Sequence, residues 1–186
     1  MDQDSARTRL LDAAESLFYG RGIQAVGMDD IRAASGVSLK RLYQLYPAKE
    51  QLVVAYLERR DTRWRARLAA HVERHDGPDE RLLAVFDWLG AWFAEPDFRG
   101  CAWINSYGEL GTTSATVAEQ VRHHKREFHR YLQELVAAAV RPDRLADDML
   151  LLAEGAMVTA GIFGDPAPAA RARSAVERLM SGSHTG

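Results

Sequence analysis

What this chain has little of narrows it first. It holds a single cysteine, Cys101, which excludes an internal disulfide and a cysteine-cluster metal site and suits a reducing compartment. No run of about 18 apolar residues occurs, which excludes an ordinary membrane-spanning helix. The opening MDQDSARTRLL is acidic and carries no secretory apolar stretch, so a cytoplasmic location away from membranes is expected. Alternating strand patterns and internal repeats are absent. So are phosphate-loop and nucleophile-elbow motifs. An enzyme would need Cys101 with a histidine as nucleophile and base, and nothing in the sequence supports that pairing. His123 and His124 are adjacent and point about 100 degrees apart on a helix, and His129 is not four residues from His124. No metal or cofactor is expected.

Neither sign of charge dominates the chain. Its 186 residues carry a net charge of -2, with net +1 over residues 1–60 and net -3 over 61–186. It is no nonspecific polycation, so attraction to a polyanion must come from local placement. What is present is apolar content, 47% of residues, which is ample for a core.

Helical punctuation runs throughout. The stretch Met28 to Leu52, MDDIRAASGVSLKRLYQLYPAKEQL, has the densest marks. Ile31, Ala34, Val37, Leu42 and Leu45 recur at helical spacing, but Gly36 interrupts them after two turns. Glycine tolerates the left-handed backbone that ends a helix, and Ser38 can cap the next one. Two helices joined through a short glycine turn make a helix-turn-helix. In the second, from about Leu39 to Leu45, Leu42 and Leu45 face inward. That leaves Lys40, Arg41, Tyr43 and Gln44 routes outward, all residue types suited to base edges or phosphates. Between Ile31 and Lys49 stand four basic residues, Arg32, Lys40, Arg41 and Lys49, and no acid.

Elsewhere the spacing predicts a first helix over Ser5 to Gly22, with Leu10, Leu11, Ala14, Leu17 and Phe18 on one face. A long helix follows from Lys49 to about His75, with Leu52, Val53, Tyr56, Leu57, Trp64, Leu68 and Val72 in its stripe. Further helices are expected near 79–94, within 97–111, over 112–140, over 143–163 and over 169–180. The fold class is therefore all-α with about nine helices. The terminal SGSHTG is expected to be disordered. Cys101 reads as a buried, inert thiol, since no neighbouring lysine or second cysteine is visible to activate it. Asn105 and Glu109, four apart on a short helix, offer a polar face suited to orienting a ligand.

The segment GIQAVGMDDIRAASGVSLKRLYQLYPAKEQL resembles the DNA-binding part of the TetR (tetracycline repressor) family of one-component bacterial regulators, through G-V-S, L-Y, Y-P and K-E-Q-L at family spacing. The likeness covers roughly Thr8 to Leu57. Gly27 departs from it, standing where the family has a capping threonine that offers a hydroxyl to phosphate. The resemblance implies a helix-turn-helix DNA-binding domain over residues 1–48 and a helical effector-binding and dimerisation domain over 49–186. It places Ser38, Leu39, Lys40, Tyr43 and Lys49 on DNA, with Arg41 able to face groove or phosphate, and Gln44 joins them by its outward position. It implies a pocket for a partly apolar small molecule, with Trp64, Trp88, Trp92, Cys101, Trp103, Asn105, Tyr107 and Glu109 as candidate contacts. It implies a homodimer through the last two helices, by Leu152, Ala156, Ala160, Ala172, Val176 and Leu179, with Gly155 and Gly161 allowing close approach. The implied function is a homodimeric regulator, foremost a repressor released from a palindromic operator by its ligand. An activator, or a regulator answering to a partner protein, is the alternative.

Overall fold

Helix ends are set locally, by residues that supply or tolerate what a terminus needs. The computed structural model describes residues 2–182, and among these it holds nine helices and no strand. The Asp2 carboxylate accepts the Ser5 N–H at 2.8 Å, so α1 (Gln3–Arg21) begins earlier than the Ser5 expected from periodicity. Gly20 stays helical, and Gly22, at φ 89°, ends the helix.

Two of the caps share a pattern. Gly27 precedes α2 (Met28–Ser35), and the Asp30 carboxylate accepts the Gly27 N–H at 2.8 Å. Gly77 precedes α5 (Pro78–Phe93), and the Glu80 carboxylate accepts the Gly77 N–H at 3.4 Å. In each, an acid three residues on occupies a backbone donor that a hydroxyl-bearing cap would leave to it anyway. The remaining helices are α3 (Leu39–Leu45), α4 (Lys49–Val72), α6 (Ala102–Leu110), α7 (Ala115–Ala138), α8 (Arg144–Phe163) and α9 (Ala167–Gly182).

The described residues pack as two units, 2–62 with Ala102–His123, and Arg63–Cys101 with 124–182. In the first, α1, α2 and α3 bury Leu10, Ala14, Phe18, Ile31, Val37 and Leu42 together, and the first half of α4 adds Leu52, Val53, Tyr56 and Leu57. In the second, α5 lies against α8 and α9, with Leu82, Val85, Phe86 and Leu89 buried. The stripes expected on α1 and α4 are largely the buried ones. Ala34 is an exception: α2 buries Ile31 and Ser35, four apart, which turns Ala34 to solvent.

No helix of the described residues is long and apolar enough to cross a membrane. Of the tail expected to be disordered, Ser181 and Gly182 belong to α9, and residues 183–186 lie outside the described residues.

Candidate nucleic-acid interface and effector region

The turn between α2 and α3 is built as its residues dictate. Gly36 adopts φ 64°, ψ 17°, and its N–H donates to the Arg32 carbonyl oxygen at 3.0 Å. Ser35, buried in the turn, accepts the Val37 N–H on its hydroxyl at 3.2 Å. Ser38 then caps α3, its hydroxyl accepting the Arg41 N–H at 3.3 Å. Leu42 is completely buried and Tyr46 nearly so, which nails one face of this seven-residue helix to α1 and α2.

The other face is open. Ser38, Leu39, Lys40, Tyr43 and Gln44 are exposed, with Tyr43 retaining 45% of its surface, and Arg41 is half-buried with Nη1 3.4 Å from Gln44 Oε1. The polar or aromatic tips of Lys40, Tyr43 and Gln44 thus project from one short helix with none of them folded under protein. Lys49 differs: it is half-buried, its ammonium 5.9 Å from the Phe18 ring centre. Burial pulls its pKa below the usual lysine value, and Glu109 and Asp30 act in the opposite direction.

The candidate effector residues divide between the two units. Trp64, Trp88 and Trp92 come together in the second, where Trp64 meets Trp88 edge-on at 5.0 Å, Trp92 at 5.8 Å and Phe128 at 5.2 Å. Trp88 and Trp92 stack at 5.7 Å, and Trp92 meets Phe98 at 5.0 Å. All three tryptophans are buried, so their faces are occupied chiefly by one another. Cys101 is buried as expected, but it has a lysine beside it: Lys125 Nζ lies 3.4 Å from Sγ and bonds both Glu154 carboxylate oxygens. Neither partner was visible in sequence, since they stand 24 and 53 positions away.

In the first unit Trp103 is buried, while Asn105 and Tyr107 are exposed. Glu109 is engaged within the protein, accepting the backbone N–H groups of Ile23 and Gln24, so its carboxylate is not held open for a ligand. Among the described residues no group of three or more histidine, cysteine, aspartate or glutamate side chains could hold a metal ion. His124 packs on Trp64 at 5.0 Å and His129 pairs with Asp147 at 2.7 Å.

This arrangement recurs in known proteins. The family model for bacterial regulatory proteins of the tetR family matches residues 10–56, and that for the tetracyclin repressor-like C-terminal domain matches residues 78–176. The crystal structure of SCO4454, a TetR-family transcriptional regulator from Streptomyces coelicolor, is 31% identical, covers 96% of both chains and superposes with a TM-score of 0.88. The chain belongs to the TetR family of transcriptional regulators.

Two curated relatives share part of it. An uncharacterised helix-turn-helix-type transcriptional regulator of Mycobacterium tuberculosis is 37% identical over 98 residues, 47% of this chain and 48% of that protein. The transcriptional activator FasR of Mycolicibacterium smegmatis is 34% identical over 109 residues, 48% of this chain and 50% of its own. The chain spans about half the length of these curated relatives. As a TetR-family protein it departs at Gly27, where Asp30 satisfies the cap from the backbone side and no hydroxyl is presented.

Of the residues that the resemblance assigns to a dimer face, four are buried within the chain. Val176 and Ala160 are essentially fully buried inside the protomer, Ala156 and Ala172 nearly so, because these small side chains let α8, α9 and α5 approach one another. The outward stripe of α8 is instead Leu151, Gly155, Val158 and Ile162, at helical spacing, with Leu151 71% and Ile162 72% exposed and Phe163 beside them 76% exposed. Leu179 of α9 is exposed and Leu152 half-buried, and with Leu151 and Ala175 they line a groove of about 530 Å³ edged by Asp148 and Arg178. Gly161 does permit a close approach, within the chain: a Cβ there would lie 2.9 Å from the Gly100 Cα.

Proposed function

We propose that this chain is a DNA-binding repressor that acts as a homodimer on a palindromic operator and is released by a small, partly apolar molecule. In this reading residues 1–48 form the DNA-binding domain and 49–186 the effector-binding and dimerisation domain. One observation carries the DNA part: α3 is capped at Ser38 and anchored by Leu42, while Leu39, Lys40, Tyr43 and Gln44 stand exposed on the opposite side. An α-helix presented this way fits the major groove, where lysine and arginine donate to guanine or phosphate and glutamine pairs with adenine. Lys49 takes a supporting place near phosphate.

A single short helix reads too few bases to be selective, and two related by a dyad read a palindrome. The exposed Leu151, Val158, Ile162 and Phe163, a contiguous apolar face of the kind that monomers rarely leave open, supply the surface for a second copy. The effector reading rests on the ring cluster of Trp64, Trp88 and Trp92 and on the charged pair Lys125 and Glu154 in the same unit. The helix α4, which starts at Lys49 beside the DNA-binding helices and continues to Val72, is the element through which ligand binding would alter DNA affinity.

The test is selection of duplexes from a random pool by the full chain, followed by binding across 50 to 200 mM salt. A palindromic consensus whose affinity falls steeply with salt supports the reading. No enrichment at low salt overturns it. An activator role has its own support in the likeness to FasR. A reporter placed under the selected site separates the two by the sign of its response to deleting the regulator.

A further inference from the structure

Glu109 stands near the C-terminal end of α6, and the loop joining α1 to α2 takes up both of its carboxylate oxygens. The Ile23 N–H donates to Oε1 at 2.9 Å and the Gln24 N–H donates to Oε2 at 2.7 Å. In return, Gln24 Nε2 donates to the Glu109 carbonyl oxygen at 2.7 Å. The loop is shaped for this grip. Gly22 takes φ 89°, and a Cβ at that position would lie 3.4 Å from both carboxylate oxygens. Ile23 is buried, so the loop cannot swing away without exposing it.

A few residues further on, the corner between α6 and α7 holds a second element. The Ser114 and Thr116 hydroxyls donate to the Glu50 carboxylate in the first turn of α4, and Gln120 Nε2 donates to Glu58 Oε1 at 2.9 Å. The same short stretch of chain therefore holds both the loop that leads into the helix-turn-helix and the helix that leaves it. The two attachments are independent and both end on carboxylates. Apolar packing alone leaves a small three-helix group able to rock, because dispersion contacts are non-directional, whereas two charge-assisted bonds on adjacent N–H groups set an angle.

We propose that Glu109 is a positioning residue for DNA recognition, locking α2 and α3 to α6 in one orientation so that displacement of α6 is carried to α3 through its carboxylate, beside the route through α4. This rests on the DNA-binding dimer proposed above. Gln24 is exposed, so water can replace the carboxylate and the variants still fold.

The experiment compares full-length wild type, Glu109→Gln and Glu109→Ala on the duplex that wild type selects, and on the same duplex with one or two base pairs inserted between half-sites. Amide exchange at Ile23 and Gln24 reports the latch itself. With Glu109→Ala, exchange there should rise at least tenfold and affinity for the selected duplex should fall about tenfold, while the lengthened duplexes lose less, so the penalty for wrong spacing shrinks. Glu109→Gln, which keeps one acceptor, should fall between. A residue serving stability alone would lower binding to every duplex by the same factor. An unchanged spacing penalty despite faster exchange overturns the proposal while leaving the regulator reading standing. Failure of wild type to select any duplex removes that reading and this one with it.

Discussion

The ammonium nitrogen of Lys125 lies 3.4 Å from the Cys101 sulfur, held there by hydrogen bonds of 2.7 and 2.8 Å to the two carboxylate oxygens of Glu154. Burial alone would lower the Lys125 pKa, but the Cys101 sulfur and the Glu154 carboxylate outweigh it and hold the ammonium above its ordinary 10.5. The three groups come from the segment before α6, from α7 and from α8, so the cluster ties distant parts of the second unit together.

Removing the carboxylate should therefore be costly. Glu154→Ala leaves a largely buried ammonium with only a thiol beside it and should destabilise the chain by about 2–3 kcal/mol, below the cost of breaking a fully buried pair because both side chains keep some solvent contact. Urea unfolding of the two proteins at pH 7 measures it. The raised pKa also sets a sign. Stability from Lys125 is fully present below pH 10.5, its unfolded value, and is lost as pH rises through the higher folded one. Unfolding midpoints followed upward from pH 9 should fall more steeply in wild type than in Lys125→Met.

Glu50 titrates at the other end of the scale. Hydrogen bonds from Ser114 and Thr116 hold its carboxyl below the ordinary 4.5. A depressed carboxyl contributes stability above its unfolded pKa and loses it as pH falls through the folded one. Between pH 5 and pH 3, Glu50→Gln should lose less stability than wild type does. Parallel acid titrations of the two proteins, followed by circular dichroism, would show whether the curves diverge in that direction.

On α3, the proposed readout and the anchoring of the helix fall on different side chains. Leu42→Ala deletes a fully buried side chain and should cost about 2–5 kcal/mol of stability. Lys40→Ala touches nothing buried and should leave stability within about 0.5 kcal/mol. Its effect is expected in DNA preference, about 1–3 kcal/mol at one base position of the selected site. Thermal melts paired with repeated selection distinguish the two. A Lys40→Ala protein that enriches the wild-type consensus unchanged would take that lysine out of the readout.

The glycine of the turn should resist replacement. Gly36 sits at φ 64°, and a side chain there would be strained by about 1–2 kcal/mol whatever surrounds it. The added Cβ would also come within 2.7 Å of Arg9 Nη2, although the flexible arginine end can move aside. Gly36→Ala should lower the melting temperature by several degrees, and Gly36→Asn, which tolerates the left-handed region better, by less.

Dimerisation should respond to charge on the outer stripe of α8. Ile162→Glu and Leu151→Glu change exposed positions, so each should fold as wild type does while shifting the protein to monomer at micromolar concentration. Light scattering after size exclusion gives the answer. A wild type that is itself monomeric under those conditions would overturn the assembly reading.

Features whose causes lie within a few residues were legible from the chain alone. The Gly36 turn, the Ser38 cap, the bounds of α3 and the outward direction of Lys40 and Tyr43 follow from backbone freedom, a hydroxyl three residues from an open N–H, and helical spacing around Leu42. Asp30 beneath Gly27 was equally local, an acid three positions after the cap, and could have been read the same way.

The remaining features depend on how distant segments pack. Lys125 reaches Cys101 across 24 positions and Glu109 reaches Ile23 across 86, and no local rule selects one carboxylate or lysine over its neighbours for such a contact. Which face of α8 turns outward is another such case. On α8 both the small-residue face and the leucine and isoleucine face are apolar, so periodicity offers two equivalent stripes. Packing of α8 on α9 and α5 consumes Ala156, Ala160, Ala172 and Val176 and leaves Leu151, Val158 and Ile162 outside, because small side chains let helix backbones approach closely and larger ones hold them apart.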